Sequence, residues 1–206
     1  MPFRVAPFDN GVYVLVDGRS DAIVIDPSTA EAEVLGAMRD NGLRILAILN
    51  THGHPDHVYA NAPVKEATRA RLAIHRLDAY RLELVSRPGG AAYLPPAPLA
   101  VPDDLLEEGP VTYLADVEVQ ALHTPGHTEG STCFYLPAEG ILFSGDVLFH
   151  GNVGRVDLPG GDAGQMEESL RRVAALPPQT RVYPGHGPPT TIGDELGWLR
   201  GFRFAG

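Results

Sequence analysis

The feature that most narrows what this chain can fold into is "NTHGHPDHVYAN", residues 50–61, directly after the apolar run "LRILAIL". Three imidazoles and one carboxylate, His52, His54, Asp56 and His57, fall within six positions where a strand end would ordinarily carry turn residues or a helix start. Gly53 lets the backbone turn and approach closely between the first two histidines. Pro55 stands where a helix would begin, a position that tolerates proline because its missing N–H would have no partner there. Asp56 is thereby turned to the same side as the histidines.

The chain around this stretch has the size and composition of one compact soluble domain. Its 206 residues can bury a sizeable core, and a single domain over 1–206 is expected. The apolar fraction is 44% and the charged fraction 20%, and no run approaches the roughly 20 apolar residues of a membrane span. The start, "MPFRVAPFDNGVYVLVDG", lacks a basic region followed by an apolar stretch, so no signal peptide is read and a cytoplasmic setting is expected. A single cysteine, Cys133, excludes an intrachain disulfide and a cysteine-rich metal cluster; in "STCFYL" it reads as a small core residue. The net charge of −10 argues against nucleic acid as a partner, since that affinity comes mainly from basic side chains.

Short runs rich in Val, Ile and Leu alternate with helical patterns. Strands are expected at about 12–16, 22–26, 45–49, 73–75, 117–123, 131–136, 141–147 and 181–184. Helices fit at about 30–41, 56–70, 163–175 and 191–200; in the third, Met166, Leu170, Val173 and Ala174 share a face that reads as core. Antiparallel-looking strands in the first half, a helix pair, and further strands and helices point to an α/β sandwich with two sheets inside and helices outside. The proline-rich segment 86–104 cannot hold a long helix or a central strand, and reads equally as a rim over a site or a solvated connector.

Three more segments repeat the chemistry of the first: "HTPGHTEGS" at 123–131, "LFSGDVLF" at 142–149 and "VYPGHGP" at 182–188. Each puts His or Asp beside glycine at a strand end, so the candidate ligands are His52, His54, Asp56, His57, His127, Asp146 and His186. Imidazole with carboxylate suits zinc, iron or manganese, whereas calcium wants oxygen alone. Seven ligands are too many for one tetrahedral ion but suit two divalent ions sharing a carboxylate and a water. His75, His123 and His150 lack that glycine-flanked setting and read as ordinary.

In these motifs the chain resembles the metallo-β-lactamase superfamily, whose HxHxDH motif stands here at His52 to His57, followed in order by the later motifs at His127, Asp146 and His186. The resemblance spans nearly the whole chain and implies a four-layer αββα sandwich with the metal site at one edge, between the sheets. It further implies that His52, His54 and His127 hold one metal, Asp56, His57 and His186 the other, and that Asp146 bridges. Within the superfamily, "TPGHTEGS", "SGDVLFHGNVGRVDLPGGD" and "PGHGPPTTIG" resemble the glyoxalase II-like branch, hydroxyacylglutathione hydrolases and their short bacterial relatives. The implied reaction is hydrolysis of a thioester such as S-D-lactoylglutathione by metal-bound hydroxide, with Asp56 orienting the water or accepting its proton.

Arg155, in "GNVGRVD", is by position the candidate for a thiol's carboxylates, with a loop-bracing salt bridge to Asp157 as the competing reading. "GRVD" also resembles persulfide dioxygenases, which would use only His52, His127 and Asp146 around one iron. Lactone-hydrolysing relatives share the whole ligand set and supply a third alternative. Antibiotic hydrolysis is disfavoured, because zinc β-lactamases typically carry cysteine or serine where Asp146 stands. After the first motif the chain reads Tyr59-Ala60-Asn61 where relatives commonly have glycine, which makes Tyr59 a candidate for narrowing the pocket. Glyoxalase II enzymes of full length add a C-terminal segment with glutathione contacts, while this chain shows Trp198, Phe202 and Phe204 there, read as core or as the contact of a homodimer rather than a monomer surface.

Overall fold

The computed structural model describes residues 1–90 and 94–204. Six strands form the first sheet in the order β1 (Pro2–Val5), β2 (Asn10–Val16), β3 (Asp21–Ile25), β4 (Arg44–Asn50), β5 (Arg71–His75) and β6 (Asp104–Leu106). The second sheet runs β14 (Thr190–Thr191), β13 (Arg181–Pro184), β10 (Ile141–Gly145), β9 (Thr132–Leu136), β8 (Val119–His123) and β7 (Gly109–Val111). A small ribbon pairs β11 (Leu148–Phe149) with β12 (Asn152–Val153). The helices are α1 (Glu31–Asn41), α2 (Pro55–Val58), α3 (Asn61–Thr68), α4 (Ala163–Ala174) and α5 (Ile192–Leu199), with a 3-10 helix at Ala79–Ser86.

Strand alternation builds the layers. In β3, Ala22 and Val24 face a cluster shared with Val34 of α1 and Val64 of α3, while Ile23 and Ile25 face the other sheet. The same split places Ile45 and Ile48 of β4 outward and Ala47 and Leu49 inward, against Phe134, Leu136 and Phe143 of the second sheet. On that sheet's far face Cys133, Leu142 and Val182 pack with Met166, Leu170 and Val173 of α4 and Ile192 of α5. Period-2 strands buried on both faces and covered by helices make the αββα sandwich.

Two expectations change. The first half of the chain is antiparallel only through β1, β2 and β3; β3, β4, β5 and β6 run parallel. The stretch between β3 and β4 is long enough for a crossover and carries α1, which brings the chain back to start β4 in the same direction. The helix expected over about 56–70 is two helices broken at Tyr59-Ala60. Pro63 would sit in the interior of one continuous helix, where it lacks the N–H and clashes with the preceding turn; with the break it lies in the first turn of α3. Asn61 and Asn50 exchange amide hydrogen bonds of 2.7 and 3.2 Å, tying the break to the end of β4.

The segment 86–104 matches the rim reading in part and departs from a purely solvated connector. Gly90 and Leu94 border a cleft, whereas Ala97 and Ala100 are buried in the outer core; residues 91–93 of that segment lie outside the described residues. Trp198, Phe202 and Phe204 stack edge to face and pack against the α4–α5 core. None of the described helices is long and apolar enough to cross a membrane.

Candidate metal centre

The seven candidate ligands come from four strand ends and meet at one edge between the sheets. β4 delivers His52 and His54, α2 carries Asp56 and His57, and the loop after β8 brings His127. Asp146 follows β10 and His186 follows β13, neighbouring parallel strands that end side by side. Gly145, at φ +50, lets the chain leave β10 with Asp146 pointing inward, in a conformation that costs a side chain strain. A Cβ on Gly185 would lie 2.2 Å from Asp146 Oδ1, so only glycine lets that strand end approach the carboxylate.

Among the described residues three groups bring ligand atoms together: two sets that share no residue, and Asp26 with His52 and His57, which spans them. The ring nitrogens of His52, His54 and His127 lie within 4.8 Å of one another, with His54 Nδ1 2.8 Å from His127 Nε2. The ligand atoms of Asp56, His57 and His186 form the second set, with the two imidazole Nε2 atoms 3.2 Å apart. Asp146 stands between them, Oδ2 at 3.4 Å from His127 Nε2 and from His186 Nε2, and Oδ1 at 3.4 Å from His57 Nε2.

The remaining ring nitrogens are held by groups that fix the tautomer. His127 Nδ1 donates to the Arg155 carbonyl at 2.7 Å, His186 Nδ1 to the Phe8 carbonyl at 2.8 Å, and His57 Nδ1 to Asp26 at 3.0 Å. Thr51 Oγ1 donates to Asp26 at 2.5 Å and lies 3.1 Å from His52 Nδ1. Each of these rings therefore aims its Nε2 inward, the nitrogen that would be free to bind once a cation displaces any proton on it.

Electrostatics and two orphaned atoms test whether this donor set fits metal. His52 Nε2 and Asp146 Oδ1 are buried without a hydrogen-bond partner among the described residues, a state that costs free energy unless a cation completes it. Burial, with the neighbouring histidines, holds His52 well below its ordinary pKa and His54 down at about 3, so both are neutral donors. Burial also works against charge on His57 and His186, but Asp146, Asp56 and, for His57, Asp26 outweigh it and raise them to about 9 and about 11. Against its own desolvation, Asp146 is held down at about 2 by His57, His186 and His127. The pocket thus demands positive charge around its two carboxylates and offers neutral imidazoles on the other side. Two divalent ions fit that set.

Two carboxylates that the sequence reading did not single out hold the ligand loops. Asp26, which ends β3, accepts the Thr51 backbone N–H at 2.8 Å besides its bonds to the Thr51 hydroxyl and His57. Asp78 is fully buried and accepts from Gly53 N–H at 2.7 Å, Thr128 Oγ1 at 2.8 Å and Gly130 N–H at 2.8 Å. It therefore pins the loop between His52 and His54 to the loop after His127. "VIDPS" carried a signal for Asp26, an acid at a strand end before proline; nothing local distinguishes Asp78 from a surface acid. Asn10 Nδ2 donates to Asp56 Oδ2 at 3.0 Å and was likewise missed.

A cleft of about 770 Å³ opens onto the ligands and is bordered by His54, Asp56, His127, Asp146 and His186. Arg155 lines it and binds Asp157 through Nε and Nη2, each at 2.7 Å, the loop-bracing pair that competed with a substrate contact. Tyr59 does not border the cleft. At the end of α2 it packs against the outer core of the first sheet, because the break before α3 turns it away from the ligands. His75 and His123, read as ordinary, stack on each other at 4.1 Å with rings 10° apart, away from the two sets.

Four strand ends converging on paired His and Asp sets in an αββα sandwich define a dinuclear metal-site protein of the lactamase-like class. The chain belongs to the metallo-beta-lactamase superfamily, whose family model matches residues 6–186. A hydroxyacylglutathione hydrolase from Rhodospirillum rubrum is 37% identical over 179 residues, 86% of this chain and 62% of that protein, so the chain spans less than two thirds of its length. Among solved structures, the BLEG-1 B3 metallo-beta-lactamase superposes with TM-score 0.88 at 34% identity, covering 96% of each chain. TTHA1623 in a di-iron-bound form superposes with TM-score 0.82 at 42% identity, covering 95% of this chain and 96% of that one.

Proposed function

We propose that this chain is a dinuclear metal-dependent hydrolase of thioesters or small esters, of the hydroxyacylglutathione hydrolase type. The observation that carries the reading is Asp146, whose two oxygens stand 3.4 Å from nitrogens of both histidine sets beneath an open cleft. His52, His54 and His127 would hold one ion and Asp56, His57 and His186 the other, with Asp146 shared. When bound, such a pair lowers the pKa of a water and polarises a carbonyl.

The chain's own groups supply positioning. Asn10 holds Asp56 in place, and with His57 and His186 it keeps that carboxylate ionised well below its ordinary range despite burial. Asp56 is therefore an ionised acceptor suited to orienting a water rather than to storing its proton. The carbonyls of Phe8 and Arg155 fix two of the imidazoles that border the cleft, His186 and His127. The reaction is RCO–SR′ + H2O → RCOOH + HSR′: a C–O bond forms, the C–S bond breaks, and one water proton goes to the departing thiolate. A thiolate is a good leaving group, since a free thiol ionises near pH 8.5.

The test is metal quantification on protein purified without added metal, coupled to turnover of S-D-lactoylglutathione, an acyl-homoserine lactone, glutathione persulfide and a β-lactam. Two metals with thioester cleavage fastest is expected. A single iron with oxygen uptake on the persulfide would replace this reading by a dioxygenase, and faster ring opening of the lactone or β-lactam would replace the substrate class.

A further inference from the structure

Four separate segments bring apolar side chains to the cleft above the ligands: Phe8 before β2, Leu84 on the 3-10 helix, Leu94 beyond it, and Leu158 after β12. Among the described residues few large apolar side chains are exposed, and three of them, Phe8 at 38%, Tyr80 at 55% and Leu158 at 36%, rim this one opening. Apolar side chains gathered beside a polar reaction centre mark where a ligand's apolar part is desolvated.

The two arginines of the cleft are already engaged. Arg81 has only 4% of its side chain exposed, and its guanidinium contacts Asp78, Glu129 and, at 2.8 Å, the Pro159 carbonyl. Arg155 is bidentate to Asp157, and Glu129 also accepts from Tyr80 at the rim. A substrate carboxylate entering here shares Arg155 with Asp157 and approaches Glu129, in a protein of net charge −10. An aliphatic chain meets no such opposition and covers exposed Leu158 and half-buried Leu84 and Leu94.

We propose that the cleft selects thioesters with an uncharged aliphatic acyl chain over thioesters that carry carboxylates, such as glutathione conjugates. This rests on the hydrolase reading, and the chemistry is the same balanced hydrolysis, with RCO an aliphatic acyl group. The chain lies along Phe8, Leu84, Leu94 and Leu158, with its carbonyl at the histidine and aspartate cluster.

The test uses the metal-loaded full chain with acetyl, butanoyl and hexanoyl thioesters of N-acetylcysteamine, beside S-D-lactoylglutathione. kcat/KM rises about fourfold per added methylene, the equivalent of about 0.8 kcal/mol, and the hexanoyl thioester exceeds the glutathione conjugate. Leu158→Gln flattens the series. Calorimetry with the non-hydrolysable S-ethyl and S-hexyl thioethers of N-acetylcysteamine reads the same preference without turnover, the hexyl compound binding tighter. A flat series with S-D-lactoylglutathione as best substrate overturns the proposal and leaves the hydrolase reading intact. Tighter hexyl binding with no thioester cleaved overturns the hydrolase reading and leaves the apolar cleft. Equal binding of the two thioethers with no cleavage overturns both.

Discussion

Replacing Asp78 by asparagine should weaken one metal set and spare the other. Asp78 takes Gly53 N–H and the Thr128 hydroxyl on Oδ2, and Gly130 N–H on Oδ1 with Arg81 Nε 3.4 Å away. An amide keeps one acceptor oxygen. In its better orientation it still serves Gly53 and Thr128, but its NH2 then faces the Gly130 N–H and the Arg81 guanidinium. The strand of contacts cannot relax, because the Gly130 backbone already packs against Asp78 so closely that a Cβ there would lie 2.7 Å from it. One buried N–H left unpaired costs about 1–3 kcal/mol, and a guanidinium losing one of its two carboxylates adds a similar amount. The metal-free protein should lose about 3 kcal/mol of stability by urea denaturation.

The more specific consequence follows from where those bonds lead. Gly53 lies between His52 and His54, and Thr128 and Gly130 flank the His127 loop, so the His52–His54–His127 set should lose about 10- to 100-fold in affinity. The Asp56–His57–His186 set has no bond to Asp78 and should keep its own. Stepwise cobalt binding, followed by absorbance with a competing chelator, separates a set of three imidazoles from one with a carboxylate. Asn10→Ala is the mirror control, since Asn10 donates to Asp56 Oδ2 at 3.0 Å, and should weaken the other set. Equal losses at both sets in Asp78→Asn, or lost stability with unchanged affinities, would refute the positioning role.

Two further outcomes are expected. Burial and the stacked His123, with Arg76, hold His75 down at about 4, below its ordinary 6.5. The unfolded chain then binds the proton that the folded chain refuses, so His75 costs stability as pH falls from 6.5 towards 4 and nothing above that window; His75→Asn should flatten that part of the stability–pH curve, and an unchanged slope would contradict it. Cys133 is fully buried, and burial pushes its thiol up to about 12, so a thiol reagent at pH 8 should react only after unfolding; prompt labelling of the native protein would contradict its place in the core.

Much of this was legible in the sequence because the relevant signals are local. Alternation along "AIVI" at 22–25 and "ILAIL" at 45–49 reports two covered faces, and His-Gly or Asp beside glycine at strand ends reports ligands that need close backbone approach. Strand direction is not local: β3 and β4 become parallel only because α1 crosses between them, and the short edge strands β6, β7 and β14 pair too few residues to leave a pattern. Pro63 marks the break in the second helix, a signal that the expected helix over 56–70 ran across. The Asp78 network was invisible because its partners stand 25 to 52 positions away in sequence. Tyr59 misled for a related reason: its neighbours along the chain are ligands, while its neighbours in space are core residues.

The central claim is that Asp146 joins two metal sets into one centre, and counting metal tests it most directly. Elemental analysis of the loaded, folded protein should find two ions per chain, and Asp146→Asn should retain at most one with the fold preserved by circular dichroism. One ion per chain in the parent protein, or two in the variant with unchanged affinities, would contradict the shared carboxylate and the dinuclear chemistry built on it.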